Sequence, residues 1–498
     1  MKIIIVGGGT AGWLTAFGLS HDRKNHEYTV IDSSKIGIIG VGESTTGAFS
    51  NFAKNRGISK LELIQGTNAL PKYGIKFFGW RKDNTDFISP VDGSYSSENS
   101  IDWALYTSIV KEDSLSKNSL GATLIKEYKT DYYIDKNNNI SELYGHFPLH
   151  IDTFATGTFF KNKSMANNVT HIDTTVKEVI LDPKTGFIEH LILENNEKIY
   201  GDLFIDCSGF SQILIKKLNP EWDDYSNFLP VNTAIPFNVV NDTRKKSLYT
   251  SAKAMSAGWI WEIPTQKHTN QGYIFSDKFL DEDKAVEEIK NYYKSDIEYI
   301  KTIKFKAGKL KKSWIKNCVA VGLSSAFLEP LQATSIHCTV AQIEDLSNNV
   351  LGHSDESTFI DHSIDLYNKR ISNLYSSMAD LISLHYSGGN DNTKFWKYIN
   401  NNRTDKVKAI LNLASLRGTR KFDFETEYAH AGQAIWNHSI AGLGYFNKDV
   451  IKKLFEEYNI NFYQASLELE KLYKHHMLNI DKCLTIDELN NILKKHNV

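Results

Sequence analysis

The sequence predicts an α/β fold: a parallel sheet of dinucleotide-binding type, an added mixed sheet, and an interleaved, mostly helical module. Three observations predict it. A β-branched run, Lys2 to Val6, leads into a glycine-rich loop and then a helical stretch. Between 166 and 207 the texture turns to short strands. Beyond 340 apolar residues recur at helical spacing to the end. The 498 residues are 41% hydrophobic and 12% aromatic, which suits two or three modules with large cores.

Each element has its own reason. Lys2 to Val6 is the unbroken apolar run of a strand buried on both faces. That reading is preferred to a signal peptide, because glycines follow at 7 to 9. Trp13 to Leu19 is helical in character, and Tyr28 to Asp32 is a second strand ending in an acid. His171 to Leu181 and Phe187 to Leu193 read as strands around a Pro-Lys-Thr-Gly turn at 183–186. Phe204 to Cys207 and Cys318 to Leu323 are further apolar strands. One helix is expected near 281–298, inside a mixed region at 228–310. Asn- and Lys-rich spots at 136–139 and 390–392 mark loop tips.

Composition excludes several classes. Fifty-seven basic residues face 59 acidic ones, for a net charge of -2. That balance speaks against nucleic acid or an anionic membrane surface as partner. The short basic runs 244–246 and 309–312 are expected to be solvated faces. No apolar run reaches the ~20 residues that span a bilayer. Cys207, Cys318, Cys338 and Cys483 show no CxxC spacing, which fits a reducing cytoplasm. Sixteen scattered His, of which His337 and His385 have the most interesting neighbours, form no metal-ligand spacing, so no metal is expected.

The loop carries the first chemistry. Gly7, Gly9 and Gly12 form GxGxxG between a strand and a helix, with Asp32 some 20 residues on. Gly7 permits the tight turn, Gly9 the close approach of a pyrophosphate, and Gly12 the packing of helix on strand. Thr10 and Ala11 open the helix whose amides would face that anion. Asp32 would hold ribose hydroxyls. The loop alone does not separate NAD from FAD.

Three further segments narrow the reading. Residues 258–264 read Gly-Trp-Ile-Trp-Glu-Ile-Pro, a complete GWxWxIP motif. Residues 40–45 read Gly-Val-Gly-Glu-Ser-Thr, and residues 327–335 read Phe-Leu-Glu-Pro-Leu-Gln-Ala-Thr-Ser. Together with the loop, they resemble the flavin-dependent halogenases of the tryptophan-halogenase family over most of residues 1–345. Asp206 to Phe210, His385-Tyr386 and Phe395-Trp396 share that texture.

The resemblance implies a flavin-monooxygenase-like FAD-binding fold of Rossmann type. It places a FAD-binding halogenase module at 1–345, with substrate-binding insertions at about 80–150 and 225–300, and a mostly helical substrate module at 346–498. It implies FAD, used as FADH2 from a separate flavin reductase, together with O2 and a halide. Halide becomes hypohalous acid, which travels to a distant pocket and halogenates an electron-rich aromatic of indole or phenol type. Cofactor contacts carried over by the resemblance are Gly7, Gly9, Thr10, Ala11, Gly12, Asp32, Gly42, Glu43, Val176, Leu323 and Ile336. Trp259, Trp261 and Pro264 would line the tunnel and keep substrate from the flavin. The family's essential Lys falls in the segment Tyr73 to Trp80, at Lys76. Among apolar neighbours its amine would be desolvated, with a depressed pKa.

The chain departs from the family where tryptophan-specific members carry Glu and then Ser-Thr-Gly. Gln332 takes the position of the catalytic Glu, and a Gln accepts no proton near neutral pH. Losing a general base costs roughly 10²- to 10⁴-fold in rate. Glu329, close in sequence, is a candidate substitute carboxylate, although the family's acid at that position favours a separate, structural role. Thr334 and Ser335 match the pair whose backbone N–H groups hold halide. Ser335 in place of Gly shifts the expectation toward bromide or iodide over chloride. Trp436 is a substrate platform or a core aromatic. The Leu and charge pattern at 464–496 is a packing helix or the face of a homo-oligomer. A hydroxylating flavin monooxygenase and a catalytically degenerate FAD-binding relative are the rival readings.

Overall fold

The computed structural model describes residues 1–36, 42–92, 117, 119–144, 147–299, 301–351, 361–424 and 432–496. Gly40 and Val41 of the Gly-Val-Gly-Glu segment lie outside that set. The chain divides into two units, each drawn from three separate segments.

The first unit comprises Met1–Ala69, Ile151–Asn227 and Lys304–Ser376. Its main sheet runs in the order Thr170–Asp173, Glu27–Asp32, Lys2–Val6, Leu203–Asp206, Cys318–Ala320, Trp314–Ile315. The first five strands are parallel and the last is an antiparallel edge. Lys2–Val6 is central, which is why Ile3, Ile4 and Ile5 are fully buried. The crossover to the next strand is the helix Thr10–Asp22. Along it Trp13, Leu14, Phe17 and Leu19 are buried, and the helix packs on Thr153–Ala166.

Two expected strands are shorter than their apolar runs. The 171–181 run breaks after Asp173, where the Thr174 N–H donates to the Asp32 carbonyl. The chain then leaves the parallel sheet and starts a separate antiparallel one, Val176–Leu181 with Ile188–Leu193 and Lys198–Tyr200. The 318–323 run is a strand only to Ala320, because Gly322 has φ 67° and opens a 3-10 turn over Gly322–Ser324.

The second unit comprises Leu70–His150, Phe228–Ile303 and Ser377–Val498. Its large sheet runs Ile297–Tyr299, Thr233–Val239, Thr269–Phe275, Gly258–Pro264, Thr250–Met255, Gly74–Phe78, Phe87–Pro90. Gly74–Phe78 and Thr250–Met255 pair in parallel, and the other neighbours are antiparallel. The sheet is therefore mixed. The helix expected at 281–298 covers Glu282–Tyr293. Asp281 caps its start, and Lys294 at φ 52° ends it, freeing Ile297–Tyr299 to pair as an edge strand. The helical C-terminal part of this unit includes Lys394–Asn401, Asp405–Arg417, Gln433–Gly442 and Lys448–Glu457. The 464–496 pattern resolves into two helices, Phe462–Ile480 and Ile486–His496.

The unit's three segments meet in an aromatic cluster. Trp80 lies 6.1 Å from Trp259, 5.1 Å from Tyr386 and 5.3 Å from Trp396, centroid to centroid. The indole N–H groups are spent on backbone: Trp80 donates to the Ala252 carbonyl at 2.9 Å, and Trp396 to that of Met255 at 2.8 Å. Among the described residues, no helix is long and apolar enough to cross a membrane.

Candidate active site

In the first unit the glycine loop is built as its spacing requires. Gly7 has φ 112°, and a Cβ there would lie 2.3 Å from the Cys207 carbonyl oxygen. A Cβ on Gly12 would lie 1.8 Å from the Gly7 carbonyl oxygen. A Cβ on Gly9 would meet nothing within 4 Å. Gly9 is thus the open side of the loop, at the N-cap of a helix that carries no side-chain cap and no acid in its first turn. Those amides suit a pyrophosphate. Asp32 closes the adjacent strand. Its Oδ1 is 2.6 Å from His171 Nε2, and its Oδ2 faces Gly8. Val176 follows Thr174, which is tied to the same strand end. Gly322 approaches the helix start so closely that a Cβ there would be 2.8 Å from Ala11 Cβ, which brings Leu323 beside the loop. The residues present fit a dinucleotide.

Glu43 and Ser44 pack against the 3-10 turn Leu331–Ala333, and Thr46 Oγ1 is 2.9 Å from His337 Nδ1. The structure therefore joins two motifs separated by nearly 300 residues. Gly42 has φ 52°, and burial pushes the Glu43 carboxyl up to about 7. Gln332 and Ala333 are both left-handed, with φ 63° and 57°. Two consecutive non-glycine residues there are strained, and they turn the chain into the helix Thr334–Asp345. No side chain caps that helix. Its first residues, Thr334 and Ser335, line a small pocket with Gly322, Phe327, Glu329 and Tyr375. Uncapped amides at a helix N-terminus make this wall attractive to a small anion. The Thr334 hydroxyl donates to the Glu329 carbonyl at 3.1 Å, while Ile336 is buried one step along the helix.

In the second unit, Lys76 does not have the expected environment. Side chains alternate along Gly74–Phe78, so Ile75 and Phe77 are buried whereas Lys76 and Phe78 are half-buried. Lys76 Nζ lies 4.9 Å from the Phe78 ring centroid. The desolvated amine is Lys72, only 2% exposed. Burial pushes it down to about 7. The Lys72 backbone N–H donates to the Pro148 carbonyl at 2.9 Å, and Leu70 pairs with His150. That register puts Lys72 and the fully buried His150 on one face. His150 Nε2 lies 2.8 Å from Thr250 Oγ1. Burial and the Lys72 charge hold its imidazole well below the usual pKa.

Trp259, Trp261 and Pro264 are all buried in the strand Gly258–Pro264. On the strand face opposite the two indoles, Glu262 is ion-paired with Lys253 at 2.8 Å and with Arg244. Trp436 is buried 5.6 Å from Phe424. His385 is a core histidine with both ring nitrogens engaged, 2.7 Å from the Leu381 carbonyl and 3.1 Å from Ser439 Oγ.

The family model for tryptophan halogenase matches residues 2–455. The chain belongs to the tryptophan halogenase family. The 7-chloro-L-tryptophan 6-halogenase of Kutzneria sp. (strain 744) is 30% identical over 429 residues, which cover 79% of this chain and 81% of that protein. The tryptophan 7-halogenase of Lentzea aerocolonigenes is 30% identical over 423 residues, covering 80% and 78%. The solved structure of BrvH, a flavin-dependent halogenase from Brevundimonas sp. BAL3, superposes with a TM-score of 0.86 at 26% identity, covering 99% of each chain. The protein is thus a flavin-dependent halogenase, an enzyme that uses FAD and a halide. Sequence reasoning passed over three features of this halogenase. They are the buried amine of Lys72, its neighbour His150, and a second buried histidine, His438. A lysine inside the run Leu70-Pro71-Lys72-Tyr73-Gly74-Ile75, which has no polar alternation, was the signal for the first.

Proposed function

We propose that the enzyme halogenates an electron-rich aromatic of indole or phenol type, and that Lys72 rather than Lys76 handles the electrophile. One observation carries this: Lys72 is a buried amine held near neutrality, so much of it is the free base at neutral pH. A free amine attacks hypohalous acid to give a haloamine and water. The haloamine passes halogen to the ring, and the ring proton returns to nitrogen. Gly7, Gly9, Thr10, Ala11, Gly12, Asp32, Gly42, Glu43, Val176, Leu323 and Ile336 are assigned to hold reduced FAD received from a separate reductase. When bound, it would activate O2, the oxidant that turns halide into hypohalous acid, with the second oxygen leaving as water. Thr334 and Ser335 offer the halide their amides, with Gln332 as a neutral hydrogen-bond donor. Trp259, Trp261 and Pro264 keep the aromatic from being hydroxylated.

The test is an aerobic assay with a generic flavin reductase, FAD and NADH, run on indoles and phenols in chloride, bromide or iodide. Lys72→Ala should lose halogenated product by at least ~10²-fold while a diketone trap still detects hypohalous acid; Lys76→Ala should keep most product. The opposite pattern returns the role to Lys76. Hydroxylated product would instead make the protein a monooxygenase. Bromide or iodide is expected to turn over faster than chloride at equal concentration, and the reverse order would sink that preference.

A further inference from the structure

His438 sits in the helix Gln433–Gly442 and is 1% exposed. Among the described residues, neither of its ring nitrogens has a hydrogen-bond partner. Four other described histidines, His26, His150, His190 and His476, have one orphaned nitrogen each; His438 has two. Burial holds its pKa at about 4, so the ring is neutral and presents one N–H donor and one lone pair. Buried polar groups in folded proteins are almost always paired, so a ring with both ends unspent points to a ligand.

The adjacent positions are committed elsewhere. Asn437 accepts from the Thr419 hydroxyl, and Ser439 donates to the Ile435 carbonyl and meets His385 Nε2. His385 in turn stacks on Phe77 at 5.1 Å, and Phe77 stacks on Phe87 at 4.6 Å. A Cβ on Gly442 would fall 2.2 Å from the Phe87 ring, so the helix is seated closely on this pair of strands. Phe77 belongs to the strand that Lys72 leads into. One turn to either side of His438 stand two small residues, Ala434 and Ala441, both half-buried.

We propose that His438 is a specificity residue whose acceptor nitrogen takes the ring O–H or N–H hydrogen of the aromatic substrate. The proposal rests on the aromatic-halogenation reading above. Such a bond selects rings that carry a donor and pushes electron density into the ring that is to be halogenated. Sites built to hydrogen-bond a substrate group reject analogues that lack it far more strongly than apolar pockets reject a missing methylene.

The test pairs indole with N-methylindole and phenol with anisole, titrated calorimetrically into the FAD-loaded enzyme, H438L and H438Q. The same substrates are then assayed for KM. The donor-bearing member of each pair should bind the wild type at least ~10-fold more tightly than its methylated partner. H438L should erase that ratio by weakening the donor-bearing member alone, with the unfolding midpoint equal or higher. H438Q should restore part of the ratio. Equal affinity for both members in the wild type overturns the proposal without any variant. So does an unchanged ratio in H438L, which would make His438 a core histidine. If the donor preference appears in binding but no aromatic is halogenated, the functional reading fails and the contact stands.

Discussion

At the scale of single residues, two lysines four positions apart have opposite fates. Lys76 lies on the alternating part of a strand and keeps solvent contact, while Lys72 lies just before it, where every residue from Ala69 to Ile75 is buried. A lysine of pKa about 7 when folded and ~10.4 when unfolded binds fewer protons in the native state between those values. Stability should therefore rise with pH across that window, and the full penalty should be present below pH 7. Lys72→Met should flatten this slope and raise stability at pH 7, as read by urea denaturation at pH 7 and pH 10; an unchanged slope would place the amine in a solvated setting. Lys72 escaped sequence reading because apolar neighbours in sequence say little about burial on a strand. Which lysine is desolvated depends on where alternation begins, and the pairing of Leu70 and Pro71 with the distant Leu149 and His150 is not visible in the local sequence. Trp259 and Trp261 were legible because two indoles two residues apart share one strand face.

At the scale of elements, the glycine loop and the left-handed turn at Gln332-Ala333 do related work. Each ends in a helix whose first amides have no side-chain cap. The loop was legible because glycine is needed there for stated steric reasons; the turn was not, because neither glutamine nor alanine announces positive φ. The loop glycines should separate cleanly on mutation. Gly9→Ala should leave the unfolding midpoint of the FAD-free protein nearly unchanged yet weaken FAD binding about tenfold, since its Cβ enters open space. Gly12→Ala should cost about 1–3 kcal/mol of stability, because its Cβ runs into the Gly7 carbonyl. Scanning calorimetry with flavin fluorescence titration would check both, and equal effects at the two sites would contradict the assignment.

At the scale of the whole molecule, the parallel sheet and its order of construction follow from patterning, whereas the partition into two three-segment units does not. No composition shift marks residues 70, 151, 228, 304 or 377, where the chain passes from one unit to the other. The Trp80, Trp259, Tyr386 and Trp396 cluster ties the second unit's segments together and should be its most sensitive point. Trp396→Ala is expected to cost about 3–5 kcal/mol and to lower the denaturation midpoint accordingly; a loss under about 1 kcal/mol would show that the cluster is dispensable. This threading also sets a timetable for biosynthesis. At ribosomal speeds of ~5–20 residues per second, Trp80 waits roughly 16 s to a minute for Trp396 to emerge. Throughout that wait the nascent chain carries the half-built aromatic core exposed, so newly made protein should depend on chaperones and should accumulate better when translation is cool and initiation slow.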